Sequence, residues 1–194
     1  KLVLFEARDE LSAAGEPIPR DLSVGIMVEM PSAAILADLL AEECDFFSLG
    51  SNDLIQYSLA IDRVNEHVAY LYHPLHPAML RLIKNVVDSG HKEGLKISIC
   101  GAMAGEPMLS VVLVGLGLDE LSMPSLSIPL VKKVIRRTSC KQAKELTERL
   151  LKLGPVEAVE DTVMKSMCEN YREVIMETEH RDLFSWRTPP DINE

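Results

Sequence analysis

Short apolar runs and longer amphipathic stretches alternate through the first three-quarters of the chain. Residues 24–29, 46–49, 96–100 and 120–123 are compact apolar runs, and each predicts a strand. Between them hydrophobic positions recur at helical spacing over 1–13, 32–43, 52–60, 77–93 and 128–137, and another helix opens at Pro107. Pro31 and Pro107 suit a first helical turn, where proline forfeits no hydrogen bond. Residues 15–19 read as a loop and 62–76 as a longer irregular excursion. From Cys140 onward only helical patterns appear, over 141–153 and 156–179, and the tail at 188–191 is expected to fray.

A βαβα succession whose strands are apolar throughout, rather than alternating, predicts an α/β fold with a parallel sheet covered by helices. Polar or small residues follow every strand: Glu29, then Ser51, Asn52 and Asp53, then Cys100 and Gly101, then Pro124 and Ser125. Ligands of parallel α/β folds bind at the carboxyl ends of the strands, because several loops converge there. Four strands ending in this way predict one shared site.

Composition narrows the partners. The 194 residues suffice for one domain with a sizeable core and leave room for two. At 47% hydrophobic and 26% charged residues the chain has the balance of a soluble globular protein. Its net charge of -10 argues against nucleic acid, since the doublets Lys132-Lys133 and Arg136-Arg137 share one short helix that reads as a solvated face. An anionic substrate then needs locally placed cations or a metal ion. Cys44, Cys100, Cys140 and Cys168 are scattered without a CxxC pair, which disfavours zinc and disulfides and fits the cytoplasm. No apolar run is long enough for a membrane span, and the charged amphipathic start does not suit a signal peptide. With no initiator Met, the chain reads as a piece of a longer protein.

Each candidate residue carries a chemical and a structural reading. Glu29 and Asp53 both follow apolar strands, and two converging carboxylates suit magnesium; Asp53 also suits a helix cap. Asn52 can donate to a phosphate or cap, and Gly50 can clear space for a ligand or permit a turn. Arg63 can hold a carboxylate or phosphate by two parallel bonds, or pair with Asp62 or Glu66. Cys100 ends the third strand before Gly-Ala-Met-Ala-Gly, where a thiol can act as nucleophile or general acid, or sit inert as a small hydrophobe. Cys44, Cys140 and Cys168 fall in the inert class, and His73 and His76, each before a proline, read as loop-shaping.

Taken in order, the stretches Gly25-Ile-Met-Val-Glu-Met-Pro-Ser-Ala-Ala34, Asp45-Phe-Phe-Ser-Leu-Gly-Ser-Asn-Asp-Leu-Ile-Gln-Tyr57, Asp62-Arg63, Cys100-Gly-Ala-Met-Ala-Gly105 and Gly117-Leu-Asp-Glu-Leu-Ser-Met123 resemble the enzyme I family. These are the phosphoenolpyruvate-protein phosphotransferases of the bacterial sugar and nitrogen phosphotransferase systems. The resemblance spans about residues 1–151. It implies the last four βα units of a (β/α)8 TIM barrel over 1–151, with a helical extension over 152–194. It further implies Mg²⁺ held by Glu29 and Asp53, phosphoenolpyruvate contacted by Asn52 and Arg63, and Cys100 as the general acid that protonates the enolate carbon as pyruvate forms. The phosphoryl group would pass to a histidine on a separate domain and then to a small histidine phosphocarrier protein. Ala102 stands where the family's cysteine loop usually carries glutamate.

The wider superfamily offers an alternative, a fragment of pyruvate phosphate dikinase or phosphoenolpyruvate synthase. The Asp45-Phe-Phe-Ser48 context and short inter-strand spacing favour the phosphotransferase. A different class is a non-catalytic regulatory half barrel kept for dimerisation. With four βα units and no phosphohistidine domain, the chain alone is expected to be catalytically silent. Unpaired edges at residues 24–28 and 120–123 predict self-association, in keeping with the family's homodimers.

Overall fold

The computed structural model describes residues 1–19 and 21–172. Strands β1 (Ile26–Val28), β2 (Phe46–Gly50), β3 (Lys96–Cys100) and β4 (Glu120–Leu121) form one parallel sheet in the order β1-β2-β3-β4. The helices are α1 (Leu2–Ala13), α2 (Pro31–Ile35), α3 (Ala37–Ala41), α4 (Ser51–Leu59), α5 (Pro77–Lys92), α6 (Pro107–Leu116), α7 (Ile128–Arg137), α8 (Cys140–Leu150) and α9 (Val156–Asn170).

Register divides the sheet into two unlike faces. Ile26, Phe47 and Ile97 lie abreast, and two residues on Val28, Leu49, Ile99 and Leu121 do the same. All but Ile26 and Leu121 are buried, and those two pack partly buried against the core. The row between them is Met27, Ser48, Ser98 and Glu120 on the opposite face, where Met27 is 52% exposed. The strands therefore alternate, contrary to the expectation of runs apolar throughout. Helices cover one face, and only that face must be apolar.

Against the buried face α5 brings Met79, Leu80, Ile83, Val86 and Val87, all within 1% of full burial. Each such aliphatic stabilises the fold by about 1.5–3 kcal/mol relative to exposure. Helix α6 packs between α5, α7, α8 and α9 and is buried nearly all round, from Pro107 to Leu116, so a charge at Val112 would have no route to water. Val159, Val163 and Met167 of α9 join the same core. By contrast α1 buries no residue, and its visible tether to the sheet end is the exposed Lys1–Glu43 ion pair at 2.6 Å.

Several element bounds differ from expectation for identifiable reasons. The helix expected over 32–43 breaks at Leu36 into α2 and α3. Asn85 on α5 donates to the Ala34 carbonyl at 2.8 Å, an acceptor that an unbroken helix would have used internally. Strands β1 and β4 are shorter than 24–29 and 120–123. The excursion over 62–76 contains a 3-10 turn, Ala69–Leu71, and a second such turn, Ala102–Gly105, follows β3. The expected helix to residue 179 is seen to Asn170; its last part and the 188–191 tail lie outside the described residues. Among the described residues no helix is long and apolar enough to cross a membrane.

Candidate active site

Strand β2 passes into α4 with no intervening residue, so Ser51, Asn52 and Asp53 occupy a first helical turn at the sheet's carboxyl edge. No side-chain cap hydrogen bond closes that turn, so Asp53 is not spent as a cap. Two bonds fasten it to the loop after β3. The Ser51 hydroxyl donates to the Cys100 carbonyl at 2.6 Å, and the Ala102 N–H donates to Asn52 Oδ1 at 3.0 Å. Between them Gly101 has φ +96, and a Cβ there would lie 2.5 Å from Ser51 Oγ and 3.0 Å from Asn52 Oδ1. Backbone conformation and space both demand glycine.

Cys100 pairs in register with Gly50, and its thiol donates to the Leu49 carbonyl at 3.5 Å. A Cβ at Gly50 would lie 2.8 Å from Glu29 Oε2 and 3.3 Å from Met27 Sδ. The Glu29 carboxylate therefore rests over Gly50 on the open face, and Gly50 clears its space. Among the described residues no group of three or more His, Cys, Asp or Glu is placed to hold a metal. The hard carboxylates at this edge are Glu29 and Asp53, which line neither of the two cavities along it, and Glu106, which borders both. As a pair, Glu29 and Asp53 fit magnesium, which takes one or two carboxylates and fills its remaining positions with phosphate and water.

Two cavities open along the edge, both bordered by Asn52, Ala102 and Glu106. One of about 530 Å³ is lined by Cys100, Gly101, Ser122 and Ser127 as well. The other, of about 290 Å³, is lined by Arg63 and Tyr72. Arg63 follows the left-handed end of α4 at Ala60, where Gln56 Oε1 accepts its backbone N–H at 3.3 Å. Arg63 lines that cavity, while Asp62 spends a carboxylate oxygen on the Val64 N–H at 2.9 Å. Burial pushes the Tyr72 phenol up to about 12, with Arg63 pulling it down and Asp53 pushing it further up. Both charges are thus felt at one ring.

Asn52, Arg63 and Cys100 are brought to neighbouring cavities, and Glu29 and Asp53 to the same sheet edge. His76 does shape its loop: its Nδ1 accepts from the Ala78 N–H at 3.2 Å and caps α5. Cys44, Cys140 and Cys168 line neither cavity. Ser51 was noted in the sequence only as a polar residue after the second strand, without a role, and Tyr72 and Glu106 were missed. For Ser51 a signal was present, because it shares the Ser-Asn-Asp turn. For Tyr72 the signal was weaker, one of two tyrosines in an excursion that mixes polar and apolar residues.

Residues 1–140 match the family described as PEP-utilising enzyme, PEP-binding domain. The chain is similar to the phosphoenolpyruvate-protein phosphotransferase of Bacillus subtilis (strain 168), 46% identical over 82% of this chain and 28% of that protein. It is similar also to the proteins of that name from Latilactobacillus sakei, 49% identical over 76% of this chain and 26% of that protein, and from Haemophilus influenzae, 42% identical over 88% and 30%. The chain thus spans less than a third of the length of these relatives. By the match over residues 1–140, it belongs to the PEP-utilising enzymes, within their PEP-binding domain.

Proposed function

We propose that this chain is the phosphoenolpyruvate-binding part of a phosphotransferase that moves phosphate from phosphoenolpyruvate to a protein histidine and on to a phosphocarrier protein, releasing pyruvate. The observation that carries this reading is the pair of bonds from Ser51 to Cys100 and from Ala102 to Asn52. They hold an amide and a thiol at one cavity, at the end of the strands where parallel α/β folds bind ligands. The relatives' shared name makes phosphoenolpyruvate the natural ligand to assign.

In this reading Asn52 donates from Nδ2 to an anionic oxygen of the substrate, and Arg63 grips phosphate or carboxylate by parallel N–H bonds. Transfer breaks the bond between phosphorus and the enol oxygen, and a histidine nitrogen of another domain accepts the phosphoryl group. The enolate left behind takes a proton on its terminal carbon from the Cys100 thiol, which completes pyruvate. Glu29 and Asp53 would hold Mg²⁺, which neutralises phosphate charge when bound.

The same reading makes the sheet four of the eight units of a TIM barrel, over residues 1–151, with α9 opening a helical extension. Its support is the unbroken order β1-β2-β3-β4 with helices on one face, where a doubly wound sheet would reverse. The open face, with Met27, Phe46, Ser48 and Ser98, would then line the barrel. Exposed Ile35, Leu36 and Leu39 on the outer helices supply apolar surface for a second copy.

The test is pyruvate formation from phosphoenolpyruvate and Mg²⁺ by the complete protein that contains this sequence. Cys100→Ala is expected to lower it about 10²–10⁴-fold, the range for loss of a general acid, with the fold intact by circular dichroism. Turnover unchanged in Cys100→Ala would remove the thiol from the chemistry.

A further inference from the structure

The segment between α4 and α5 carries an aromatic whose placement is not explained by packing alone. Tyr72 follows the 3-10 turn and lines the smaller cavity beside Asn52 and Arg63. Its hydroxyl lies 3.4 Å from Asn52 Oδ1, the atom that the Ala102 N–H approaches at 3.0 Å. A backbone N–H can only donate, so the side-chain atom it meets is the carbonyl oxygen. A hydroxyl facing that same oxygen must donate as well. Two donors occupy both lone pairs of Oδ1, which leaves the amide nitrogen for another acceptor.

We propose that Tyr72 is a positioning residue whose hydroxyl, with the Ala102 N–H, holds the Asn52 amide so that its nitrogen meets an anionic oxygen of the substrate. This rests on the phosphoenolpyruvate reading of the site. Phosphate and carboxylate oxygens only accept hydrogen bonds, so a reversed amide would set oxygen against oxygen and repel the ligand. The phenol keeps its proton through the physiological range, since burial pushes it up to about 12.

The chain beside Tyr72 is anchored. On its C-terminal side, His73 Nδ1 is buried without a hydrogen bond, 3.5 Å from Oε1 of Glu160 on α9. Leu75 is fully buried, and His76 caps α5. An anchored backbone is what a hydroxyl needs to select one of two amide orientations.

Tyr72→Phe keeps the ring and removes the donor. In the complete protein that contains this sequence, the KM for phosphoenolpyruvate is expected to rise roughly 2- to 5-fold with kcat within twofold. That is the lower part of the range for one neutral hydrogen bond, as suits a long O···O distance. In ¹⁵N spectra of this chain, the two Asn52 side-chain NH resonances are expected to move while the Ala102 amide stays protected. KM and the Asn52 resonances unchanged, or a lowered melting temperature as the only effect, would overturn the proposal. So would a Tyr72→Phe chain that fails to fold, since the hydroxyl would then be a requirement of structure. If the unsubstituted protein forms no pyruvate, the functional reading fails, and the Asn52 resonances alone decide the positioning.

Discussion

The two ends of the sheet use the same kind of bond to opposite effect. At the amino end, Asp45 donates its N–H to the Val24 carbonyl at 2.9 Å and accepts the Val24 N–H on its carboxylate at 2.6 Å. Asp119 repeats the clasp on Ile97, at 2.9 and 2.8 Å, and its carboxylate also meets His91 at 2.9 Å. In each clasp the backbone donor and acceptor of one residue, Val24 just before β1 or Ile97 in β3, are both consumed by one aspartate. At the carboxyl end, Ser51 and Asn52 likewise reach across to the next βα unit, but each uses only one atom. Asn52, Cys100 and Arg63 line the cavities, and the Cys100 thiol makes one long bond, to the Leu49 carbonyl at 3.5 Å. Closing every group makes an end that only stabilises; leaving selected groups unspent makes one that can bind.

That contrast breaks most visibly at Gly101. Gly101→Ala forces a Cβ into a positive-φ position against Ser51 and Asn52, which costs about 1–3 kcal/mol before any relaxation. Both a lower melting temperature and weakened phosphoenolpyruvate binding are expected together, because the same residue sets the backbone and the site. Melting unchanged with binding unchanged would show that the loop can move aside freely.

At the other end the two effects should separate. Asp119→Ala is expected to cost roughly 1 kcal/mol by urea unfolding, the modest value suited to a carboxylate and imidazole each about 40% exposed, with ligand binding untouched. Burial pushes the Asp119 carboxyl up, but the Ile97 N–H and then His91 outweigh it and leave it below its ordinary value. A depressed carboxyl contributes its stability above its ordinary value of 3.8, and that contribution is lost as pH falls through the depressed one. Asp119→Ala should therefore flatten the acid side of the unfolding curve. A loss of ligand binding in this variant would erase the distinction between the two ends.

Much of the carboxyl end was legible in the sequence because its residues stand directly after apolar runs. Glu29, Asn52, Asp53 and Cys100 interrupt hydrophobic strands at their ends, a local signal. What could not be read depends on partners distant in the chain. The Ser51–Cys100 bond spans 49 residues, and the break at Leu36 comes with Asn85 of another helix. Tyr72 lies in an excursion with no period to mark which side chain turns inward. The open face was misjudged for a related reason. Ser48 and Ser98 do alternate with Phe47, Leu49, Ile97 and Ile99, but the runs are too short for two serines to outweigh the apolar majority.

The smallest expected effect is at His76, between the two ends. Burial, and then the neighbouring His73, holds its imidazole below the ordinary 6.5. The neutral ring caps α5 through Nδ1, so this contribution is present above 6.5 and is lost as pH falls through the depressed value. Losing the cap costs about 0.5–1 kcal/mol. His76→Asn retains an acceptor and should remove that step from a pH series of melting temperatures; a step that persists would place its origin in another group.

Phosphoenolpyruvate with Mg²⁺ is expected to bind at the carboxyl end of these four strands. This is tested most directly by titrating both into the ¹⁵N-labelled chain and following its amides. Shifts are expected at Asn52, Arg63, Gly101 and Ala102 and at the Asn52 side chain, with Val24, Ile97 and Asp119 unmoved. No shift at millimolar ligand, or shifts centred on the aspartate clasps, would contradict it.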